Sequence, residues 1–411
     1  MDVLKKSLEI LSEYPLCDSC LGRQFAQLGY GLENRERGAS IKTLLHMDLV
    51  SRYRAGEDVL NALVSLAKVH RPTAKFLQSV GVSVEEARCY ICGGLLDNVE
   101  ERASEAAKAL EGIDFATFSV GTVIPKEVLE REGEVVKKFM VTTGESVKHE
   151  INRRIGKRLL RLLPDKRVDK LRPHVVVKID FVAGKAEVLR NPVLIEGVYL
   201  KLSRRISQVK KFGGVKASLF EKLQYIRDVF GGVEHVVHAA GREDADVRML
   251  GTGRPVVVEV KQPRRYGSEV PPLADGDVVF TPRGLADRGD VKTLKEKAKT
   301  SIKLYRALAF SERALSQEDV AKVGELAGRT VTQYTPRRIK RLHPKKKRVR
   351  MVYEVVPRLI TPHVLELYVR CQGGLYVKEF LHGDGGRTTP SVAEILNTYL
   401  EVLELDVLAA E

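Results

Sequence analysis

Apolar residues recur at two spacings along this chain of 411 residues. Leu4, Leu8 and Leu11 follow the spacing of a helix with one buried face, and the apolar positions of residues 147–159 do the same. Between residues 365 and 371, apolar and polar side chains alternate, which is the period of a strand that buries one face. The pattern therefore predicts an α+β protein.

These patterns divide the chain into three predicted regions. Residues 1–95 are predicted to be helical, residues 96–210 mix helices with strands, and residues 211–411 have the character of an α+β sheet domain. A chain of this length is expected to form two or three domains.

Four of the five cysteines form two C-x-x-C pairs, Cys17 with Cys20 and Cys89 with Cys92. This arrangement is typical of a tetrahedral metal site with four thiolates, for which zinc is the expected metal. Because 68 residues lie between Cys20 and Cys89, the metal would be a structural staple between distant segments. Two unrelated redox or buried pairs are the alternative, and Cys371 is predicted to be a core residue of a strand.

The chain carries 69 Lys and Arg against 54 Asp and Glu, a formal net charge of +15. This excess favours a polyanionic partner such as nucleic acid. The sequence contains no apolar run long enough for a membrane span and does not begin with a signal peptide, so we expect a cytoplasmic protein.

Basic residues concentrate in two segments. Residues 337–350 hold nine Lys or Arg in 14 positions, which predicts an exposed hairpin or loop that grips an RNA backbone. The predicted helix at 147–159 has one apolar face, and its basic face either binds phosphate or is simply solvated. The residues predicted to contact RNA are Arg337, Arg338, Lys340, Arg341, Lys345, Lys346, Lys347, Arg348, Arg153, Arg154, Lys157 and Arg158.

An acidic turn, "GREDADV" at residues 241–247, lies between two strand-like runs of this basic chain. One interpretation is a magnesium-dependent nuclease of the restriction type, in which Asp246 and Glu259 hold the metal and Lys261 assists the attacking water. A second interpretation comes from the order of residues in the turn, which resembles the Gly-Arg-x-Asp-x-x-Val segment that carries the catalytic aspartate of pseudouridine synthases.

Further segments follow in the order that this resemblance requires. "KLYRAL" is similar to a Lys-x-Tyr motif at Lys303 and Tyr305, and "GGLYVKEFLHGDGGRT" is similar to the late motif with a basic residue near the aspartate. With "YLKLSRRISQ", "TQYTPRR" and the two cysteine pairs, the chain resembles the archaeal and eukaryotic family, the tenth of the pseudouridine synthases, that modifies uridines 54 and 55 in the T-loop of tRNA.

The resemblance implies a role for each matching residue. Asp244 would be the catalytic nucleophile or base, and Tyr305 would stack on the flipped-out uridine. Lys378 or Arg242 would pair with Asp244, and Leu381 would be an apolar neighbour of the substrate.

It also implies a fold: a mixed or antiparallel sheet in the catalytic domain, a THUMP-like RNA-binding domain over 96–210, and a thumb-like basic loop at 337–350. The expected enzyme is a monomer that binds tRNA, uses no cofactor for catalysis and holds a structural zinc ion. An RNA-binding protein without catalytic activity is a further alternative.

Overall fold

A computed structural model describes residues 2–208, 217–339 and 346–410. The chain divides into two compact units, Met1–Asn191 and Pro192–Glu411. The predicted α+β class is confirmed, and the two units divide after Asn191, earlier in the chain than the boundary that the sequence placed after residue 210. A strand at Val193–Lys201 belongs to the second unit, because it pairs with two strands of the large sheet there.

The first unit contains eight described helices. They are α1 (Val3–Glu13), α2 (Asp18–Gly22), α3 (Asn34–Arg54), α4 (Leu60–Ala67), α5 (Arg71–Ser79), α6 (Val99–Ala109), α7 (Lys126–Lys138) and α8 (Val147–Leu162). Helices α2 and α3 contact each other closely at Gly22 and Gly38. A Cβ atom at Gly22 would lie 1.9 Å from the carbonyl oxygen of Asn34, and one at Gly38 would lie 1.9 Å from that of Asp18. Larger residues would therefore separate the two helices.

A four-stranded sheet completes the first unit. Its strands are β1 (Thr117–Val123), β2 (Arg167–Val168), β3 (Val175–Asp180) and β4 (Lys185–Arg190), in the spatial order β2-β1-β3-β4. Helices α6 and α8 pack together, and each contacts the sheet. The helical spacing predicted for 147–159 is confirmed, because Val147, Ile151, Ile155 and Leu159 are all buried.

The second unit is built on an eleven-stranded sheet. Its strands, with the separate pair β6 and β7, are β5 (Val193–Lys201), β6 (Ile206–Ser207), β7 (Ala217–Ser218), β8 (Glu234–Ala239), β9 (Arg248–Lys261), β10 (Leu273–Ala274), β11 (Val278–Leu285), β12 (Ile302–Ser311), β13 (Thr330–Tyr334), β14 (Lys347–Thr361), β15 (Val364–Gln372), β16 (Thr388–Thr389) and β17 (Leu400–Ala410). Its helices are α9 (Leu219–Lys222), α10 (Gln224–Phe230), α11 (Arg288–Thr300), α12 (Gln317–Gly324), α13 (Val377–His382) and α14 (Val392–Leu396).

The order of the large sheet is β10-β11-β5-β9-β17-β12-β15-β14-β13-β16, and β8 pairs with β9. Its pairs are antiparallel except β9 with β17, where Arg248 and Met249 run parallel to Asp406 and Val407. The acidic turn between β8 and β9 therefore leads directly into the inner strands of the sheet, where β9 pairs with β17. Cys371 is fully buried on β15, as its place in the alternating pattern predicted.

None of the described helices combines the length and the apolar character that a membrane span requires.

Candidate active site

A cavity of about 390 Å³ opens in the second unit beside the acidic turn. This volume is typical of sites that hold a small molecule or a single base. Its walls come from the turn, from β12, from the 3-10 turn Arg337–Ile339 and from residues 374–378. Among the side chains that line it are those of Asp244, Lys303, Tyr305, Arg338, Val377 and Lys378.

Asp244 is held by two cations from later parts of the chain. Its Oδ2 lies 2.7 Å from a guanidinium nitrogen of Arg338 and 3.7 Å from Nζ of Lys378. Its side chain is 32% exposed, so one edge of the carboxylate remains open to the cavity. Arg242 is exposed at the rim and forms no ion pair with Asp244 among the described residues, so of the two suggested partners the structure brings Lys378 to the carboxylate.

Arg338 bridges two carboxylates, since its Nε donates to Glu379 at 2.7 Å while the other end of the guanidinium reaches Asp244. Burial alone would lower the pKa of Arg338, but the two carboxylates raise it, so the guanidinium remains positively charged. The sequence assigned Arg338 to an RNA-gripping loop. The structure instead places it at the predicted catalytic carboxylate.

Lys378 contacts Asp246 more closely than Asp244, with 2.6 Å between Nζ and Oδ2. Burial alone would raise the pKa of the Asp246 carboxyl, but the Lys378 ammonium outweighs this effect and lowers the pKa below its usual value. Arg248 forms its bidentate pair with Asp406, at 2.8 Å for both bonds, so a local pair between Arg248 and Asp246 does not form. Because residues 245 and 246 form a turn, both aspartates reach the same lysine.

The acidic turn rests on buried polar residues that the sequence analysis did not identify. Glu243 accepts a bond of 3.0 Å from Arg254, and both side chains are only 1% exposed. The hydroxyl of Tyr199 donates to the same carboxylate at 3.0 Å. Lys201 Nζ donates to the carbonyl oxygens of Asp244 at 2.8 Å and Ala245 at 3.0 Å. These bonds fix the backbone on which Asp244 stands.

Gly241 begins the turn with a φ of +87°, a left-handed conformation that favours glycine. A Cβ atom there would also lie 3.0 Å from a guanidinium nitrogen of Arg254 and 3.2 Å from Nζ of Lys303. The backbone conformation therefore favours glycine, and a larger residue would also displace the ends of the Arg254 and Lys303 side chains.

Tyr305 lies on β12 between Val369 and Val407 and is 9% exposed, with the exposed part facing the cavity. Burial raises the pKa of its hydroxyl, so the ring remains neutral at physiological pH. The cavity wall beside it includes Val377 of α13. Leu381, one helical turn further along, is fully buried in the core and does not line the cavity, so its predicted substrate contact is not supported.

The residues of the nuclease alternative do not come together. Met249, which follows Asp246 closely on the chain, pairs with Lys201 of β5, whereas Glu259 pairs with Leu194 of β5. Lys201 and Leu194 are seven residues apart on β5. At about 3.3 Å per residue this separates the carboxylates by roughly 20 Å. Glu259 instead contacts His238 and Lys261 contacts Glu234. Asp246 and Glu259 therefore cannot share a metal ion.

The basic segment 337–350 includes the start of a strand. Residues 347–350 are the first residues of β14, which pairs antiparallel with β13. The Thr335 N–H donates to the carbonyl oxygen of Lys346, and the Lys346 N–H donates to the hydroxyl of Thr335, each at 3.0 Å. Arg348 lies over the ring of Tyr376, 4.9 Å from its centre, at the cavity wall. Lys346 and Lys347 are exposed. Lys340, Arg341 and Lys345 lie outside the described residues.

The basic face of α8 is engaged by carboxylates of its own unit. Arg153 pairs with Glu33 at 2.6 Å and Glu145 at 3.0 Å, and Lys157 also pairs with Glu33. Arg154 pairs with Glu100 at 2.7 Å, and Nε of Arg158 is buried. These pairs give Arg153, Arg154 and Lys157 a structural role, and contact of all four basic residues with RNA stays a prediction.

In the first unit, the sulfur atoms of Cys17, Cys20, Cys89 and Cys92 all lie within 4.8 Å of one another. The 3.7 Å between Cys17 and Cys92 is far longer than a disulfide bond. It matches the sulfur separation of about 3.8 Å that follows from tetrahedral coordination with metal-sulfur bonds of about 2.3 Å. The four thiols therefore fit a metal ion.

Comparison with known proteins extends these observations. The family model described as "Pus10, C-terminal" matches residues 194–411, and that described as "Pus10 THUMP domain, archaeal" matches residues 102–180. The second match confirms a THUMP domain within the predicted region.

Full-length relatives carry the name "tRNA pseudouridine synthase Pus10". The protein of that name from Pyrobaculum arsenaticum is 64% identical over 411 residues, which is 100% of both chains. Those from Aeropyrum pernix and Pyrococcus furiosus are 38% and 36% identical, covering 100% and 98% of this chain and 97% of each relative.

Proposed function

The chain belongs to the Pus10 family of tRNA pseudouridine synthases, and on that premise we propose that it isomerises uridine 54, uridine 55 or both in the T-loop of tRNA, with Asp244 as catalytic carboxylate. The observation that carries this proposal is the cavity in which Asp244 and Tyr305 meet, with Arg338 and Lys378 bound to the carboxylate.

The reaction breaks the bond from C1′ of the ribose to N1 of uracil and forms a bond from C1′ to C5. A base stacked inside folded RNA exposes none of these atoms, so the uridine must leave its stack and enter a pocket. Tyr305 offers the neutral aromatic face on which the flipped uracil stacks. The rearrangement is redox-neutral and adds no group, so it requires no cofactor for catalysis.

Asp244 starts the cleavage as an ionised carboxylate, and its open edge faces the cavity. Arg338 and Lys378 stabilise this ionised form, and the bridge from Arg338 to Glu379 fixes the orientation of the guanidinium. The bonds from Lys201 to the backbone of the turn keep the carboxylate in place before the substrate arrives.

Exposed basic residues beside the cavity hold the RNA backbone in this proposal. Lys346 and Lys347 project at the start of β14, and the predicted contacts of Lys340, Arg341 and Lys345 belong to the same segment. The THUMP domain supplies the second RNA-binding surface.

Zinc is the metal that we propose for the four cysteines, which offer the thiolate set that this ion favours in structural sites. When bound, the ion would tie the start of α2 to the loop before α6. Four thiolates complete a tetrahedral shell and leave no position open for a substrate, so the role that we propose for the ion is structural.

The experiment that tests the proposal is site-resolved mapping of pseudouridine in tRNA transcripts, in buffer without magnesium. Three transcripts are compared: one with both T-loop uridines, one with cytidine at position 54 and one with cytidine at position 55. Pseudouridine at the remaining uridine of each transcript is expected. Intact RNA without pseudouridine would favour the alternative of an RNA-binding protein without catalytic activity.

A further inference from the structure

Lys303 lies on β12, two residues before Tyr305 and on the same face of the strand. Its side chain lines the cavity, yet the residue is only 7% exposed. The ammonium group approaches the start of the acidic turn, as the short distance to a Cβ atom built at Gly241 indicates. Asp244, Tyr305 and Lys303 therefore surround one space.

In the part of the chain that the structure describes, Lys303 Nζ forms no hydrogen bond and no ion pair. The nearest buried carboxylate, that of Glu243, is already bound by Arg254 and Tyr199. Opposite Lys303 on β15 stands Cys371, whose pKa burial raises to about 12, so its thiol is neutral. The cation therefore has no counterion among the described residues of the protein.

An ammonium buried without a partner is costly. Burial lowers the pKa of Lys303 to about 8, so most of it still carries a proton at neutral pH. A cation kept in this way in a cavity wall is typical of a site that receives negative charge from its ligand or from the reaction.

The proposed reaction generates such a charge. When the C1′–N1 bond breaks heterolytically, its electron pair remains on the detached uracil, which becomes an anion with charge on N1 and both carbonyl oxygens. A pair from the ring then forms the C5–C1′ bond, and the proton on C5 is lost while N1 gains one. Atoms and electrons balance without any co-reactant.

We propose that Lys303 contacts the uracil ring stacked on Tyr305 and stabilises the negative charge that the ring carries between cleavage of C1′–N1 and formation of C1′–C5. This inference rests on the proposed function, since it requires a uridine in the Asp244 cavity. It assigns Lys303 a role distinct from that of Arg338 and Lys378, which hold the carboxylate.

The test compares Lys303→Met with the wild type in single-turnover reactions on two RNAs, one with uridine and one with 5-fluorouridine at the target position. Fluorine withdraws electrons and stabilises the uracil anion without help from the protein. It also blocks loss of a proton from C5, so the readout for that RNA is loss of N-linked fluorouridine in nuclease digests.

With uridine, Lys303→Met is expected to slow the reaction by about 100-fold, the effect of removing one donor to a developing anion. With 5-fluorouridine, Lys303→Met should slow the reaction by only about tenfold, a tenth of the factor expected with uridine. Affinity for tRNA and the melting temperature should stay near wild-type values, because methionine fills the same space without a charge. Lys303→Gln is the second variant should the first not fold. Equal slowing of both RNAs, or none with uridine, would overturn the proposal.

Asp244→Asn in the same assay separates the two hypotheses. If this variant is inactive while Lys303→Met slows both RNAs by the same factor, the catalytic site stands and the role of Lys303 is wrong. If Asp244→Asn keeps wild-type rates, the proposed site itself is wrong, and the inference for Lys303 falls with it.

Discussion

Single residues decide how the proposed catalytic carboxylate, Asp244, is held. Arg338 lies closer to Asp244 than Lys378 does, at 2.7 Å against 3.7 Å, and its planar guanidinium also binds Glu379. We predict that Arg338→Met lowers the single-turnover rate by about 100-fold and changes tRNA affinity only slightly. Arg337→Met is the matched control, because this neighbouring side chain forms no ion pair with Asp244 among the described residues. A loss confined to affinity in both variants would show that Arg338 only grips RNA.

The motifs predicted Asp244, Tyr305 and Lys378 as neighbours of one site, and the structure places all three in the same cavity. The contact of Arg338 with Asp244 was not predicted, because a dense basic run gives no sign of which arginine turns inward. Asp244 is 94 residues away in the chain, so tertiary folding alone reveals the contact. The burial of Leu381 was not predicted either, because one turn of α13, about 5.4 Å, separates it from Val377 at the cavity wall.

At the scale of elements, two basic segments that look alike in the sequence differ in the structure. Lys346 and Lys347 are exposed without a salt bridge among the described residues, whereas Arg153 and Lys157 on α8 share Glu33. We predict that Lys346→Gln with Lys347→Gln weakens tRNA binding. The slope of log affinity against log salt should fall by about one for each phosphate that the protein no longer neutralises.

The matched control is Arg153→Gln with Lys157→Gln on α8. Because these side chains are paired with carboxylates, the double variant should leave tRNA affinity within about twofold and lower the melting temperature slightly. Equal loss of affinity in both double variants would contradict the distinction and restore the basic helix as an RNA contact.

The period of apolar residues predicted α8 and β15 well, because each buries one regular face. The segment 337–350 was predicted as a hairpin or loop, and the start of β14 within it was not recognised as part of a long strand, since in "KRVR" only Val349 is apolar. Strong local charge thus obscured a strand that is stabilised by pairing with β13 and β15.

At the scale of the whole molecule, the unit boundary could not be found from local pattern. Strand β5 follows the THUMP region without a change in composition, and only its pairing with β9 and β11 assigns it to the second unit. The first predicted region and residues 96–191 of the second likewise form one compact unit, because local sequence does not reveal which segments pack together.

The four cysteines lead to a prediction about the metal content and stability of the protein. Cys89→Ser with Cys92→Ser removes two of the four thiols, so we expect loss of bound zinc by elemental analysis and several kcal/mol of stability from the first unit. In limited proteolysis the first unit should be cleaved before the second. Unchanged zinc content and unchanged cleavage would contradict a metal site there.

The central claim is that Asp244, and not its neighbour Asp246, carries out pseudouridine formation. The direct test maps pseudouridine in a tRNA transcript after incubation with wild type, Asp244→Asn or Asp246→Asn, since both variants lose one carboxylate beside Lys378. We predict pseudouridine in the T-loop with wild type and, more slowly, with Asp246→Asn, and none with Asp244→Asn. Pseudouridine made by Asp244→Asn at the wild-type rate would contradict the account.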